Sequence, residues 1–234
     1  MSNDTEIGAT TFFDRLGEED RAAMCDLGTV RSFEKGESLF FEGDRSGEVF
    51  VLLDGEVKIL VSATDGREIV LAIRGVGEIL GELASIDDTE RSATVTTLGA
   101  CECLVLTADQ FRGLLDNRIG ITRLVLQSLA ERSRDLSVRH LEFGVDDAIG
   151  RVCRRLTELG ERYGSEGDHG DVVIDSPLSQ GDIAAWSGLS RQAVVKALQS
   201  LRRLGWIESD AGVISVLDRS AVANRASMTV GDRS

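Results

Sequence analysis

Between residues 117 and 143 runs a stripe that limits what can be built on either side of it. Ile119, Thr122, Leu126, Leu129, Ser133, Leu136, His140 and Phe143 fall at alternating three- and four-residue steps, the seam of a two-stranded coiled coil. Arg123, Glu131, Arg132, Arg134, Asp135 and Arg139 crowd around it, leaving an apolar band narrow enough for one partner helix. The spacing predicts a long helix, capped by Asn117 and ending near His140, that joins two copies of the chain. The competing reading packs the stripe on the chain's own N-terminal domain. His140 is read as a neutral packed side chain, with protonation opposite its symmetry mate as the pH-sensitive alternative.

The 234 residues allow a modest domain on each side of that helix. Upstream, residues 12–27 have helical spacing, with Phe12, Phe13, Leu16 and Met24 placed to dock against something larger. From 29 to 106 the pattern changes to short apolar runs split by turn signals such as EGD at Glu42, LDGE at Leu53 and TDGRE at Thr64. Strands over 48–53, 57–61, 68–73 and 93–97, with turns between them, predict an antiparallel barrel or jelly roll. A barrel of this kind can also be a metalloenzyme, but that site needs several inward His or carboxylate ligands. No histidine precedes His140, so no enzymatic activity is expected.

Within that domain, residues 77–95, GEILGELASIDDTERSATV, read as a socket for one phosphate. Gly81, Glu82, Leu83 and Ala84 open a short helical turn, and Arg91 follows after a loop, flanked by Ser92 and Ala93 in a run with strand character. A helix N-terminus offers unpaired N–H groups, and a guanidinium adds a two-pronged fork for phosphate oxygens. Glu82 would repel the phosphate itself, yet it can accept a hydrogen bond from a sugar hydroxyl lying past it, so the pair points to a nucleotide. The alternative is a structural ion pair between Glu82 and Arg91.

Downstream, Thr107 and Gln110 form a capping box for a short helix to about 115, and Asp147 caps a helix to about 162. Residues 143–145 interrupt the pattern between two long helices, a natural hinge. A polar loop GSEGDHGD and a strand-like VVID follow. The run LSQGDIAAWSGLSRQAVVKALQSLRRLGWI, from 178 to 207, is a helix-turn-helix pattern. Gly188 supplies the turn, Ser190 caps the second helix, and Val194, Leu198 and Leu201 set its inner face. Arg191 can read guanine with its fork, Gln192 can pair with adenine, and Lys196 can take a base or a phosphate. GWIESDAGVISVL then reads as a hairpin wing, and the tail from Arg219 as polar and ending disordered. The alternative for this region is a helical hairpin with a solvated basic face.

The net charge of −14 argues against nucleic acid only until its distribution is considered. Residues 1–106 hold 22 acidic and 9 basic residues, leaving 18 and 17 for the remainder, and 176–206 is locally basic. Cys25, Cys101, Cys103 and Cys153 are scattered, and with His140 and His169 they make no metal-ligand spacing, so no metal is expected. Cys101 and Cys103 should share one buried face of a strand. No run of about eighteen apolar residues occurs and the start is not a secretory signal, so a cytoplasmic protein without a membrane partner is expected.

GELA followed by RSA resembles the phosphate-binding cassette of the CRP/FNR regulators, in the branch that answers to cyclic AMP. The second motif appears in that family's order, and the resemblance spans about 12–217. It implies an α+β chain with an N-terminal cyclic-nucleotide-binding jelly roll over 1–116, a dimerisation helix over 117–143 and a winged helix-turn-helix domain over 144–234. It implies cAMP as effector, held by Gly81, Glu82, Leu83, Ala84, Arg91 and Ser92. Two adjacent helix positions meet the adenine in that family; they fall on Leu136, which cannot hydrogen-bond, and Ser137, which can. Ser190, Arg191, Gln192 and Lys196 inherit DNA contacts, and Gln192 and Lys196 replace a Glu and an Arg of that branch, so a different palindromic half-site is expected. RNA polymerase is an implied partner. The iron–sulfur branch is disfavoured because its N-terminal cysteine cluster is missing. Same-fold regulators that bind DNA without a nucleotide, or answer another signal, stay open, as does a cyclic-nucleotide regulatory subunit acting on an enzyme, which the winged motif disfavours.

Overall fold

A computed structural model describes residues 11–227 except 46, 65, 146, 168, 169 and 211, and for 138–145 the backbone alone. It divides into two compact units, Met1–Val61 with Ile73–Arg134, and Ser62–Ala72 with Asp135–Ser234.

The first elements are α1 (Glu18–Leu27), β1 (Thr29–Phe33), β2 (Ser38–Phe40), β3 (Glu48–Asp54), β4 (Val57–Ser62), β5 (Glu68–Arg74), β6 (Ile79–Leu80), α2 (Glu82–Asp87), β7 (Thr94–Thr97), β8 (Cys101–Thr107), α3 (Ala108–Asn117) and α4 (Ile119–Val145). Two four-stranded sheets result, ordered β1-β8-β3-β6 and β2-β7-β4-β5. They form a layered sandwich, and among the described residues no closed barrel occurs. Strand alternation builds two cores at once. Phe50 and Leu52 of β3 join Leu39, Val57 and Val95 of the other sheet, while Val49 and Val51 turn to the helical side with Met24, Phe111 and Ile121. Each such apolar side chain removed from water contributes about 1.5–3 kcal/mol. Cys101 and Cys103 share the inter-sheet face, as their spacing predicts.

Three boundaries differ from the sequence reading. The first helix starts at Glu18, not near 12; Phe12 and Leu16 are buried all the same, from a turn in which Thr11 binds Asp14 through backbone and hydroxyl. Asn117 does not cap the long helix; it closes α3 and donates to the Gly113 carbonyl. The long helix continues to Val145 instead of ending near 140, so residues 143–145 do not break it. The Thr107–Gln110 capping box forms as expected.

The second unit holds α5 (Ala148–Tyr163), β9 (Gly164–Glu166), β10 (Val172–Ile174), α6 (Gln180–Ser187), α7 (Arg191–Arg203), β11 (Ile207–Asp210), β12 (Val213–Val216) and α8 (Arg219–Ser227). The sheet order β11-β12-β10-β9 carries the wing, and β9 makes a strand of part of the loop read as irregular. Asp147 caps α5 by accepting from Gly150 N at 2.9 Å. The tail is a helix through Ser227: its polar composition conceals Val222 and Ala226, four apart and both buried, while Arg225 pairs with Asp147.

Candidate functional site

The cassette sits where β6 hands over to α2. Ile79 and Leu80 pair with Val51 and Phe50, and Gly81, at φ +77°, turns the chain into the helix through a conformation that side chains other than glycine rarely adopt. The returning strand is zipped to the turn at 43–44: Arg91 N donates to Asp44 O at 2.8 Å and Gly43 N to Arg91 O at 2.9 Å. With its backbone held at both atoms, Arg91 can point only inward, and it is 5% exposed.

The guanidinium makes no ion pair among the described residues. Nη1 donates to the Gly81 carbonyl at 2.7 Å, Nη2 donates to the Glu48 carbonyl at 2.5 Å, and the Phe40 ring centre lies 4.2 Å from Cζ. Nε is buried and without a partner. Burial pushes the pKa of this group down, against the pull of Glu48, Glu82 and Asp44. A buried cation whose direct contacts are two carbonyl dipoles and a ring, with carboxylates acting on it only from a distance, is costly to hold, and an anion placed against it would lower that cost.

Glu82 is 2% exposed, and its partner is Arg132 of α4, whose Nη1 lies 2.6 Å from Oε1. Arg132 also reaches Glu78 at 3.1 Å and donates to the Ile79 carbonyl at 2.6 Å. Burial raises the Glu82 carboxyl pKa, and the Arg132 charge opposes it. The alternative of a Glu82–Arg91 pair is therefore not what forms. Sequence reasoning missed Arg132, Phe40 and the Glu48 carbonyl. Arg132 had a usable signal: Ile121, Val125 and Ser128 are buried on α4, and the next step of that inward stripe is Arg132.

Around the pair, Ala84 is buried while Leu83 and Ser92 are exposed. Ser137 is exposed on α4 and belongs to the second unit. On the seam, Ile119 is 76%, Leu126 61% and Leu136 55% exposed, whereas Leu129 packs partly against the core. Apart from Leu129, the face that α4 buries in its own unit, with Ile121, Val125 and Ser128, is a different one. His140 and Phe143 lie outside the described side chains.

In the second unit Ser179 caps α6 in a capping box with Asp182, Gly188 ends it at φ +61°, and Ser190 caps α7 by accepting from Ala193 N at 3.2 Å. Val194, Ala197, Leu198 and Leu201 are buried, which leaves Ser190, Arg191, Gln192 and Lys196 together on the exposed face at the start of α7. All four residues named from the sequence are therefore exposed together at the N-terminal end of α7.

Comparison with known proteins returns the same two parts. Residues 30–118 match the cyclic nucleotide-binding domain and residues 150–225 match the Crp-like helix-turn-helix domain. A CRP-like cAMP-activated global transcriptional regulator of Mycobacterium tuberculosis is 31% identical over 194 residues, covering 83% of this chain and 86% of the relative. The cyclic AMP receptor protein of Thermus thermophilus is 26% identical, covering 80% and 82%. Among solved structures, the c-di-GMP responsive global regulator CLP of Xanthomonas campestris has TM-score 0.77 at 20% identity, covering 86% of this chain and 99% of that one; that likeness concerns the fold.

Proposed function

The chain belongs to the CRP/FNR family of transcription regulators, and from that premise we propose a cAMP-responsive, non-enzymatic homodimer that binds a palindromic DNA site. Its parts are an effector domain over 1–116, a dimerisation helix over 117–143 and a winged helix-turn-helix domain over 144–234. The observation that carries the reading is Arg91, a buried guanidinium with two carbonyl partners, no carboxylate in direct ion-pair contact among the described residues and one orphaned N–H. A cyclic phosphate supplies the missing counter-charge, Ser92 and the 81–84 backbone complete the cradle, and Glu82 takes a ribose hydroxyl. The relatives named for cAMP favour that nucleotide.

Exposed Ile119, Leu126 and Leu136 support a partner helix, because apolar side chains at heptad spacing stay in water unless a second copy covers them. By the family resemblance Ser137 is the residue expected to hydrogen-bond the base, and Leu136 has no group to do so. Ligand acts by differential affinity: it shifts the regulator toward the DNA-competent state only as far as it binds that state better. Arg191, Gln192 and Lys196 read the half-site, in a cytoplasmic protein with RNA polymerase as a further partner.

One observation favours a second reading. Glu82 is already neutralised by Arg132, and both Nη atoms of Arg91 are already bonded, so the same regulator can hold DNA with no nucleotide or answer another signal. Calorimetry with cAMP and cGMP, on the wild type and Arg91→Leu, separates the two. The first reading requires binding that the substitution abolishes while the dimer persists. Equal binding by the variant removes Arg91 from its role, and gel shifts with and without ligand then test the coupling.

A further inference from the structure

We propose that Gly181, in the helix before the recognition helix, is the positioning residue that sets where Arg191 can read a base. The inference rests on Arg191 being a base reader, as proposed above. Gly181 is the second residue of α6 and does not sit in the left-handed region, so no turn demands a glycine there. Inside a helix glycine is less stabilising than alanine, and the position needs another reason.

That reason is Arg191. A Cβ built on Gly181 would stand 2.9 Å from Nη2, 3.1 Å from Nε and 3.2 Å from Cζ of Arg191. The guanidinium therefore lies across the bare backbone of α6's first turn. This platform is rigid, since Ser179 N donates to Asp182 Oδ2 at 3.0 Å and Asp182 N donates to Ser179 Oγ at 3.1 Å. Guanine is read through two N–H donors aimed together at O6 and N7, and a long side chain that can rest against a fixed surface loses less freedom when it docks than one free on all sides. A methyl group on Gly181 fills the space, and the flexible end of Arg191 yields in preference to any backbone. The glycine thus acts on specificity from outside α7, through what it leaves empty.

The test uses the full chain. A duplex library with randomised half-sites is selected with the wild type, with and without saturating cAMP, and single-base-pair variants of the selected site are titrated against Gly181→Ala, Arg191→Ala and the double variant. The expected result is a Gly181→Ala protein that melts at or above the wild type and binds unrelated duplex equally well. It should lose about two- to tenfold discrimination at the same base pair that Arg191→Ala relaxes, and the double variant should be no worse than Arg191→Ala alone. Unchanged discrimination in Gly181→Ala beside a relaxed Arg191→Ala overturns the inference and leaves Arg191 as a reader. A lower melting point with uniform loss on all DNA also overturns it, since that marks a packing role. If Arg191→Ala relaxes no base pair, the base-reading role fails and the inference with it.

Discussion

Arg91 and Arg191 each lay a guanidinium against a glycine, one in each compact unit, with opposite surroundings. Arg91 is buried, bonded to two carbonyls and stacked on Phe40; Arg191 is exposed at the start of a helix. Gly81 is required twice, by its φ of +77° and because a Cβ would collide with Arg91 Nη1, whereas Gly181 is required only by its arginine. Burial commits the first arginine to a single geometry that the backbone enforces, so its loss should cost the ligand affinity proposed for it together with some stability. The exposed one is steered by a gap, so its disturbance should cost selectivity alone.

The largest effect that would sharpen this contrast is in ligand affinity. Arg91→Leu should weaken cAMP binding by on the order of 4 kcal/mol, or roughly a thousandfold, as truncation of a buried charged partner does; calorimetry at millimolar ligand reads it. Next, Arg132→Ala leaves Glu82 buried without its cation and should cost about 3 kcal/mol of stability at neutral pH. The sign of its pH dependence follows from the direction of the Glu82 shift. Burial without Arg132 raises the carboxyl further, so the folded variant takes up a proton as pH falls. Urea melts should show a deficit at pH 7 that shrinks as pH falls toward the ordinary value of 4.5. A deficit constant across that range would mean that Glu82 is not the charge being stranded.

A direct way to break the comparison is to methylate both glycines. Gly81→Ala should destabilise by about 1–2 kcal/mol from its left-handed backbone alone, while Gly181→Ala should be neutral or stabilising. Equal losses in thermal melts would erase the distinction. The smallest effect concerns thiols. Burial pushes Cys103 up to about 12 and Cys153 up to about 11 from 9.0. The folded chain therefore keeps protons that the unfolded chain gives up, and stability should decline as pH rises past 9, through about 11 for Cys153 and about 12 for Cys103. Maleimide at pH 8 should modify exposed Cys25 and spare the three buried cysteines, as read by mass spectrometry.

Much of this was legible because its signals are local. The caps at Thr107, Asp147 and Ser190 lie three residues from the amides they accept, and the HTH face follows from a 3.6-residue period. Where reading failed, the deciding partner was distant or the pattern thin. Asn117 looked like an N-cap, yet its amide turns back to Gly113. Of nine residues in α8, two are buried, too few to stand out as an apolar stripe. Glu82 and Arg91 are both buried, but the alternative ion pair between them does not form: Glu82 pairs with Arg132, and Arg91 donates to two carbonyls.

The order of parts, the GELA and RSA motif and the outward side chains of α7 were determined by the amino-acid order alone, because each depends on residues close together along the chain. Which groups answer the two buried charges was decided only by tertiary structure. Glu48 and Gly81 stand 43 and 10 residues from Arg91, and Arg132 stands 50 from Glu82. Sheet pairing and the docking of α4 bring them within hydrogen-bonding distance, and no local periodicity encodes which carbonyl a buried guanidinium will meet.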